Sequence, residues 1–205
     1  MPSTDHLLTS PEDQPRARLL ELIGAIETWD DLERTHRETA TQWSASGASD
    51  HRARKPDVSA VHLVSYFVVL DDTLGQLLLV AHRKAGPWPP AGGHVEVAES
   101  PWAAAIRECR EELGTEAVAS PITGEVPLFL TVTRTRGQRA HTDLSLWHLL
   151  NAGADTITSY DQGEFDAIRR LTYEQVLEES AGLLDPHMHR FTRKLQHARK
   201  QRHRG

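Results

Sequence analysis

The chain has 205 residues, of which 39% are apolar, and it carries a formal net charge of −6. One full domain with an extension is expected at that length, with enough apolar residues for a sizeable core. The negative balance argues against nucleic acid as a partner, and no apolar run is long enough to span a membrane. A signal-peptide pattern is lacking, and a single cysteine, Cys109, excludes an internal disulfide, so the expected location is cytoplasmic.

In chain order, residues 1–14 are rich in Pro, Ser, Thr and acid and read as a flexible tail. Residues 15–58 read as a helical extension and linker. Leu19, Leu20, Leu22, Ile23 and Ile26 follow helical spacing, with Trp29 and Leu32 continuing the apolar set. Asp30 or Asp31 is placed to cap a second helix that carries Leu32, His36 and Trp43. Packing on the main domain is the expected role of this helical pair; a lid or a homodimer contact is the alternative.

Residues 59–200 form the expected main domain, and 201–205 a basic tail. From Val61 the pattern turns to strand: HLVSYFVVL, then QLLLVAHRK after a turn at Gly75, predict a hairpin or adjacent strands. The second strand leads to Arg83 and Lys84, which would suit a diphosphate or else simply end a solvated strand. Trp88, in the following turn, is a candidate wall for a base or sugar, although turn tryptophans more often just pack. Farther on, EAVAS, PLFLTVTRT and HTDLSLWHLL read as strands, with the turn between the last two at Arg136-Gly137-Gln138. His141 and Asp143 fall on one face of that last strand, positioned to touch substrate or act as a base, or to be structural. Residues 165–171 read as a strand, Thr172 to Gln175 as a capping box, and 188–201 as a helix. The C-terminal histidines lack the spacing of a closed zinc site.

The most informative stretch is residues 93–115, GHVEVAESPWAAAIRECREELGT. Ser100 suits an N-cap, Pro101 the first helical position and Gly114 a left-handed C-cap, which predicts a helix over 101–113. Trp102, Ala105, Ile106, Cys109 and Leu113 share its core side. Glu108 and Glu112 are four apart and Glu111 is three from Glu108, so three carboxylates crowd one face. Like charges so close destabilise a helix unless a cation offsets them, and a hard ion that prefers oxygen, Mg²⁺ or Mn²⁺, is the natural one. Arg107 lies four before Glu111 and is placed to orient its carboxylate.

This stretch resembles the Nudix box, G-x5-E-x7-R-E-U-x-E-E-x-G-U, with U a bulky aliphatic residue. Gly93, Glu99, Arg107, Glu108, Glu111, Glu112 and Gly114 match every fixed position, while Cys109 and Thr115 are weaker fits at the two U positions. Trp88-Pro89-Pro90-Ala91-Gly92-Gly93 is similar to the W-x-x-P-G-G that usually precedes the box, and Ala98-Glu99 stands where the family often has Gly-Glu. The resemblance implies an α/β/α sandwich around a mixed sheet, here preceded by the helical extension. It also implies hydrolysis of a nucleoside diphosphate linked to a moiety X: a nucleoside triphosphate, an oxidised nucleotide or a nucleotide sugar. Glu108, Glu111 and Glu112 would hold Mg²⁺, with the Gly93 carbonyl as a further ligand, and Glu99 and Arg107 would brace the loop and helix. Glu164 matches the loop acid that often completes the metal site or activates water in the family. Alternatives are a nucleotide sensor without turnover, disfavoured by the complete set of carboxylates, and an isopentenyl-diphosphate-type isomerase, disfavoured because Cys109 lies on the apolar face. Nothing downstream of the box identifies X.

Overall fold

The structure, a computed structural model, describes residues 13–46, 61–82, 88–135, 141–153, 157 and 159–202. Arg83, Lys84, the turn expected at 136–138, most of the expected tail and residues 47–58 of the expected extension and linker lie outside them. Two helices come first, α1 (Asp13–Ala25) and α2 (Asp31–Ala45). Strands β1 (Val61–Asp71), β2 (Gln76–His82) and β3 (Ala91–His94) follow, then helix α3 (Pro101–Leu113). Strands β4 (Val118–Ala119), β5 (Phe129–Arg134), β6 (Thr142–Asn151) and β7 (Phe165–Thr172) lead to helices α4 (Tyr173–Glu178) and α5 (Met188–Arg202).

The strands form one mixed sheet in the order β4-β6-β1-β2-β7, with β5 also paired to β6 and β3 to β1. Its axis is the parallel ladder of β1 and β6, which runs in register from Val61↔Thr142 to Leu70↔Asn151. The other pairings are antiparallel. A strand covered on both faces must be apolar nearly throughout, which explains the unbroken run in β1: residues 62–65 and 67–70 are all buried. On one face, Phe67, Val69 and Val80 pack against Ala105, Cys109 and Leu113 of α3. On the other, Val68, Leu70, Trp147 and Leu149 meet Val176 of α4 and Phe191 and Leu195 of α5. The expected α/β/α sandwich is therefore the observed one.

The helical pair packs onto the α3 side, where Leu19, Ile23 and Ile26 of α1 and the loop after it join Ala40, Leu63, Ala104, Leu144 and Leu146. Asp30 caps α2 by accepting from the Glu33 N–H at 2.8 Å. The buried side of α2 differs in part from the expected one. Leu32 is 46% exposed, whereas His36 is buried and Trp43 packs on the core as expected, and Glu33, Ala40 and Ser44 face inward beside them. Strand β3 has no counterpart in the sequence reading, because Ala-Gly-Gly-His lacks strand propensity and extends only through its pairing with β1.

Candidate active site

The α3 helix forms as its termini dictate. The Ser100 hydroxyl accepts from the Ala103 N–H at 3.1 Å, Pro101 opens the first turn, and Gly114 closes the helix at φ 58° with its N–H donating to the Arg110 carbonyl. The helix lies against β3, and between them opens a cleft of about 650 Å³. Its described lining comprises residues 92–97, Arg107, Glu108, Glu112 and Glu164.

Two glycines let backbone and carboxylate meet there. Gly92 has φ 130°, and a Cβ on it would stand 2.2 Å from the Ser65 carbonyl oxygen; a Cβ on Gly93 would stand 2.1 Å from Glu108 Oε1. The Gly92 N–H donates to Glu112 Oε2 at 3.2 Å. That bond fixes a carboxylate only 4% exposed, whose pKa is pushed up to about 8 by burial first and then by the charges of Glu108 and Glu164. Glu108, half-buried, is also raised, by burial above all, with Glu111 and Glu164 adding to it and Arg107 opposing.

Arg107 holds the frame. Its guanidinium donates to both oxygens of Glu99 at 2.9 and 3.0 Å, to Glu108 at 2.8 Å and to Glu111 at 3.3 Å, and reaches the His94 carbonyl at 3.3 Å. Glu99 in turn accepts from the Glu96 N–H at 3.0 Å, and its pKa is lowered, chiefly by Arg107. The β3–α3 loop and the helix are thus tied through one planar fork. Glu164 arrives from the turn before β7. Its loop is anchored to the helix end where the Asp161 N–H donates to the Glu112 carbonyl at 2.8 Å.

The structure brings Gly93, Arg107, Glu108, Glu112 and Glu164 around one cleft; Glu99 and the exposed Glu111 are not among its lining residues and are joined to it through Arg107. Trp88 is not among the lining residues. It exchanges backbone hydrogen bonds with Leu183 and Asp185, and the Arg169 guanidinium lies 5.3 Å from its ring centre. His141 is likewise not among the lining residues; it stands just before β6, 3.1 Å from Asp143. Cys109 is fully buried and its thiol is pushed up to about 12, far from the ionised form an isomerase nucleophile needs. Sequence reasoning missed the anchoring role of Asp161, and nothing in the local pattern distinguishes that acid from others in the loop.

Glu96, Glu108, Glu112 and Glu164 face a single guanidinium among the described lining residues, and that guanidinium is already engaged by Glu99. Two carboxyls, Glu108 and Glu112, whose pKa values are raised by burial and by neighbouring acids, with a backbone loop shaped by Gly93 to lie against Glu108, have the chemistry of a site for a hard divalent cation.

A sequence profile of the NUDIX domain matches residues 61–195. No curated protein matches. Among solved structures, a NUDIX-family hydrolase from Clostridium perfringens superposes with a TM-score of 0.50 at 21% identity, covering 66% of this chain and 96% of its own. The MutT protein of Methanosarcina mazei Go1 gives 0.51 at 19% identity, over 68% and 96% of the two chains. A C. elegans Ap4A hydrolase, in a binary complex, gives 0.51 at 18%, over 65% and 94%. At these identities the likeness is one of fold, and the profile match, spanning well over half of the chain, carries the assignment. The chain belongs to the Nudix family of hydrolases.

Proposed function

We propose that the chain is a divalent-metal-dependent pyrophosphohydrolase that cleaves the diphosphate of a nucleoside diphosphate joined to a second moiety, as in nucleoside triphosphates, oxidised nucleotides or nucleotide sugars. The observation that carries this reading is the buried Glu112 carboxylate, raised to about 8 beside Glu108 and Glu164 in an open cleft. A carboxyl in such company holds a proton at neutral pH or gives it up to a bound cation, and the open cleft gives a cation access.

Glu108, Glu111 and Glu112 would hold Mg²⁺ or Mn²⁺, with the Gly93 carbonyl as a further oxygen donor. When bound, the ion supplies neutralisation of the diphosphate charge and acidifies water. Glu164, which lines the same cleft from the loop before β7, takes the proton from the attacking water. Arg107 keeps Glu108 and the loop carbonyls in place through Glu99 and His94. Arg83 and Lys84 are assigned to the phosphates on sequence alone. Trp88 and His141 are given no part in substrate binding, because neither lines the cleft.

The test is a turnover screen with Mg²⁺ or Mn²⁺ over nucleoside triphosphates, oxidised triphosphates, nucleotide sugars, ADP-ribose and dinucleotides, with Glu112→Gln as the blank. Metal-dependent release of phosphate or nucleoside monophosphate, at least roughly a thousandfold above the blank, is expected for one class. Equal turnover in the blank would sink the assignment.

A further inference from the structure

On the sheet face opposite the carboxylates, the strand register assembles a second group of ligand-bearing side chains. His62, near the start of β1, pairs in parallel register with Asp143 of β6, so the two side chains point the same way. His141 lies two residues before Asp143 and so falls on that face as well. His94 ends β3 and pairs with Val64, two residues from His62, which puts it on the same side again. Gly93 turns toward Glu108, so its neighbour His94 turns away from it.

The ligand atoms lie close enough together to converge on one ion. One ligand atom from each of His62, His94, His141 and Asp143 lies within 4.8 Å of the others. His62 Nδ1 and His94 Nε2 are 3.2 Å apart, and His141 Nε2 and Asp143 Oδ1 3.1 Å. In a tetrahedral site with bonds of about 2.0–2.1 Å, the ligand atoms stand about 3.3 Å from one another. Two edges of such a tetrahedron are therefore already formed. The His62 and His141 rings lie 4.1 Å apart at 31°, so the two imidazoles stand side by side at the start of neighbouring strands. His62 is 4% exposed and the other three are half-buried, so the group is open enough to load and closed enough to hold.

We infer that His62, His94, His141 and Asp143 form a second, nitrogen-rich cation site that takes Zn²⁺ or another borderline transition ion rather than Mg²⁺. Three imidazoles and one carboxylate are the donors such ions select, whereas the box offers only oxygen. Four protein ligands leave no open position, so the ion is structural: it staples the ends of β1, β3 and β6. Because His94 follows Gly93 directly, the staple also fixes the strand end from which the β3–α3 loop departs. The site owes nothing to the hydrolase assignment, since the two donor sets share no side chain.

The test uses the full chain, stripped with chelator and freed of any histidine tag, titrated with Co²⁺ in the presence of excess Mg²⁺. One equivalent should bind with the intense visible bands of four-coordinate Co²⁺, be displaced by Zn²⁺, and persist in Glu112→Gln. His62→Gln and His141→Gln should each weaken Co²⁺ binding at least about tenfold. Zn²⁺ should raise the melting temperature of the wild type and of Glu112→Gln, but not of His141→Gln. His141 sits at the strand edge, so its variant reports even if His62→Gln fails to fold. Only weak six-coordinate bands, or binding unchanged in His141→Gln, would overturn the inference. Loss of binding in Glu112→Gln would also overturn it, by returning the ion to the box.

Discussion

An absent methyl group sets the approach of backbone to carboxylate. A Cβ at Gly93 would sit 2.1 Å from Glu108 Oε1, so Gly93→Ala must push that carboxylate or the strand aside. The expected outcome is a fall in kcat of about a hundredfold with a stability loss of about 1–3 kcal/mol, read by steady-state kinetics and urea unfolding. Ala98 presents the opposite case: it is the one described non-glycine residue with positive φ, at 64°, where the family often carries glycine. Relieving it in Ala98→Gly should raise stability by about 1 kcal/mol, seen as a higher urea midpoint at unchanged slope. At this scale the sequence was readable in identity and unreadable in environment. Spacing puts Glu108, Glu111 and Glu112 on one helical face. It does not reveal that Glu112 is 4% exposed while the Glu111 side chain is 60% exposed, because that depends on what the β3 backbone and the Asp161 loop bring over them.

Between elements, the coupling of α2 to α5 rests on charge. Glu33, fully buried, accepts from the Lys194 ammonium at 2.7 Å, from the Leu130 N–H at 3.2 Å and from the Trp29 N–H at 2.7 Å. Burial pulls the Lys194 pKa down while Glu33 holds it up. Arg190, one turn earlier on α5, donates to Asp30 at 2.8 Å, and that bond is the largest reason the Asp30 pKa is lowered to about 2. Glu33→Ala strands a buried ammonium and should cost about 3–5 kcal/mol, whereas Glu33→Leu combined with Lys194→Met should recover most of it. Equilibrium unfolding of the two variants beside the wild type checks this; a double variant no better than the single one would contradict it. The helices were legible from their periodicity and caps, and their inward face only in part. A buried glutamate looks like a surface one until its lysine, far along the chain, is known to meet it. The same applies to the histidine group, since His62 and Asp143 become neighbours only once β1 and β6 are laid in register.

For the molecule as a whole, acid is the expected weakness. His148 is fully buried, and burial depresses its pKa to about 4. The unfolded chain takes up that proton near the ordinary value of about 6.5, so below it the unfolded state binds more protons and stability falls until the folded state titrates as well. The loss accumulates between pH 6.5 and 4 and reaches about 2–3 kcal/mol by pH 4.5. Urea midpoints at pH 7 and 4.5 should therefore converge in His148→Leu relative to the wild type. The antiparallel partners β1 and β2 could be paired from the sequence because they are adjacent; the parallel axis of the sheet could not, and that axis has a consequence in time. Val61 finds its partner in Thr142, with the whole Nudix box lying between them. Such a long-range parallel pairing must close a large loop before any contact rewards it, which makes it the slow step of folding. The α3 helix is complete in the chain well before β6 follows, with every one of its carboxylates in place and half of its sheet still to come. Competence for catalysis is then gained in a single late event, when β6 docks on β1, and single-jump refolding should show activity returning with the slowest phase of burial around Trp147.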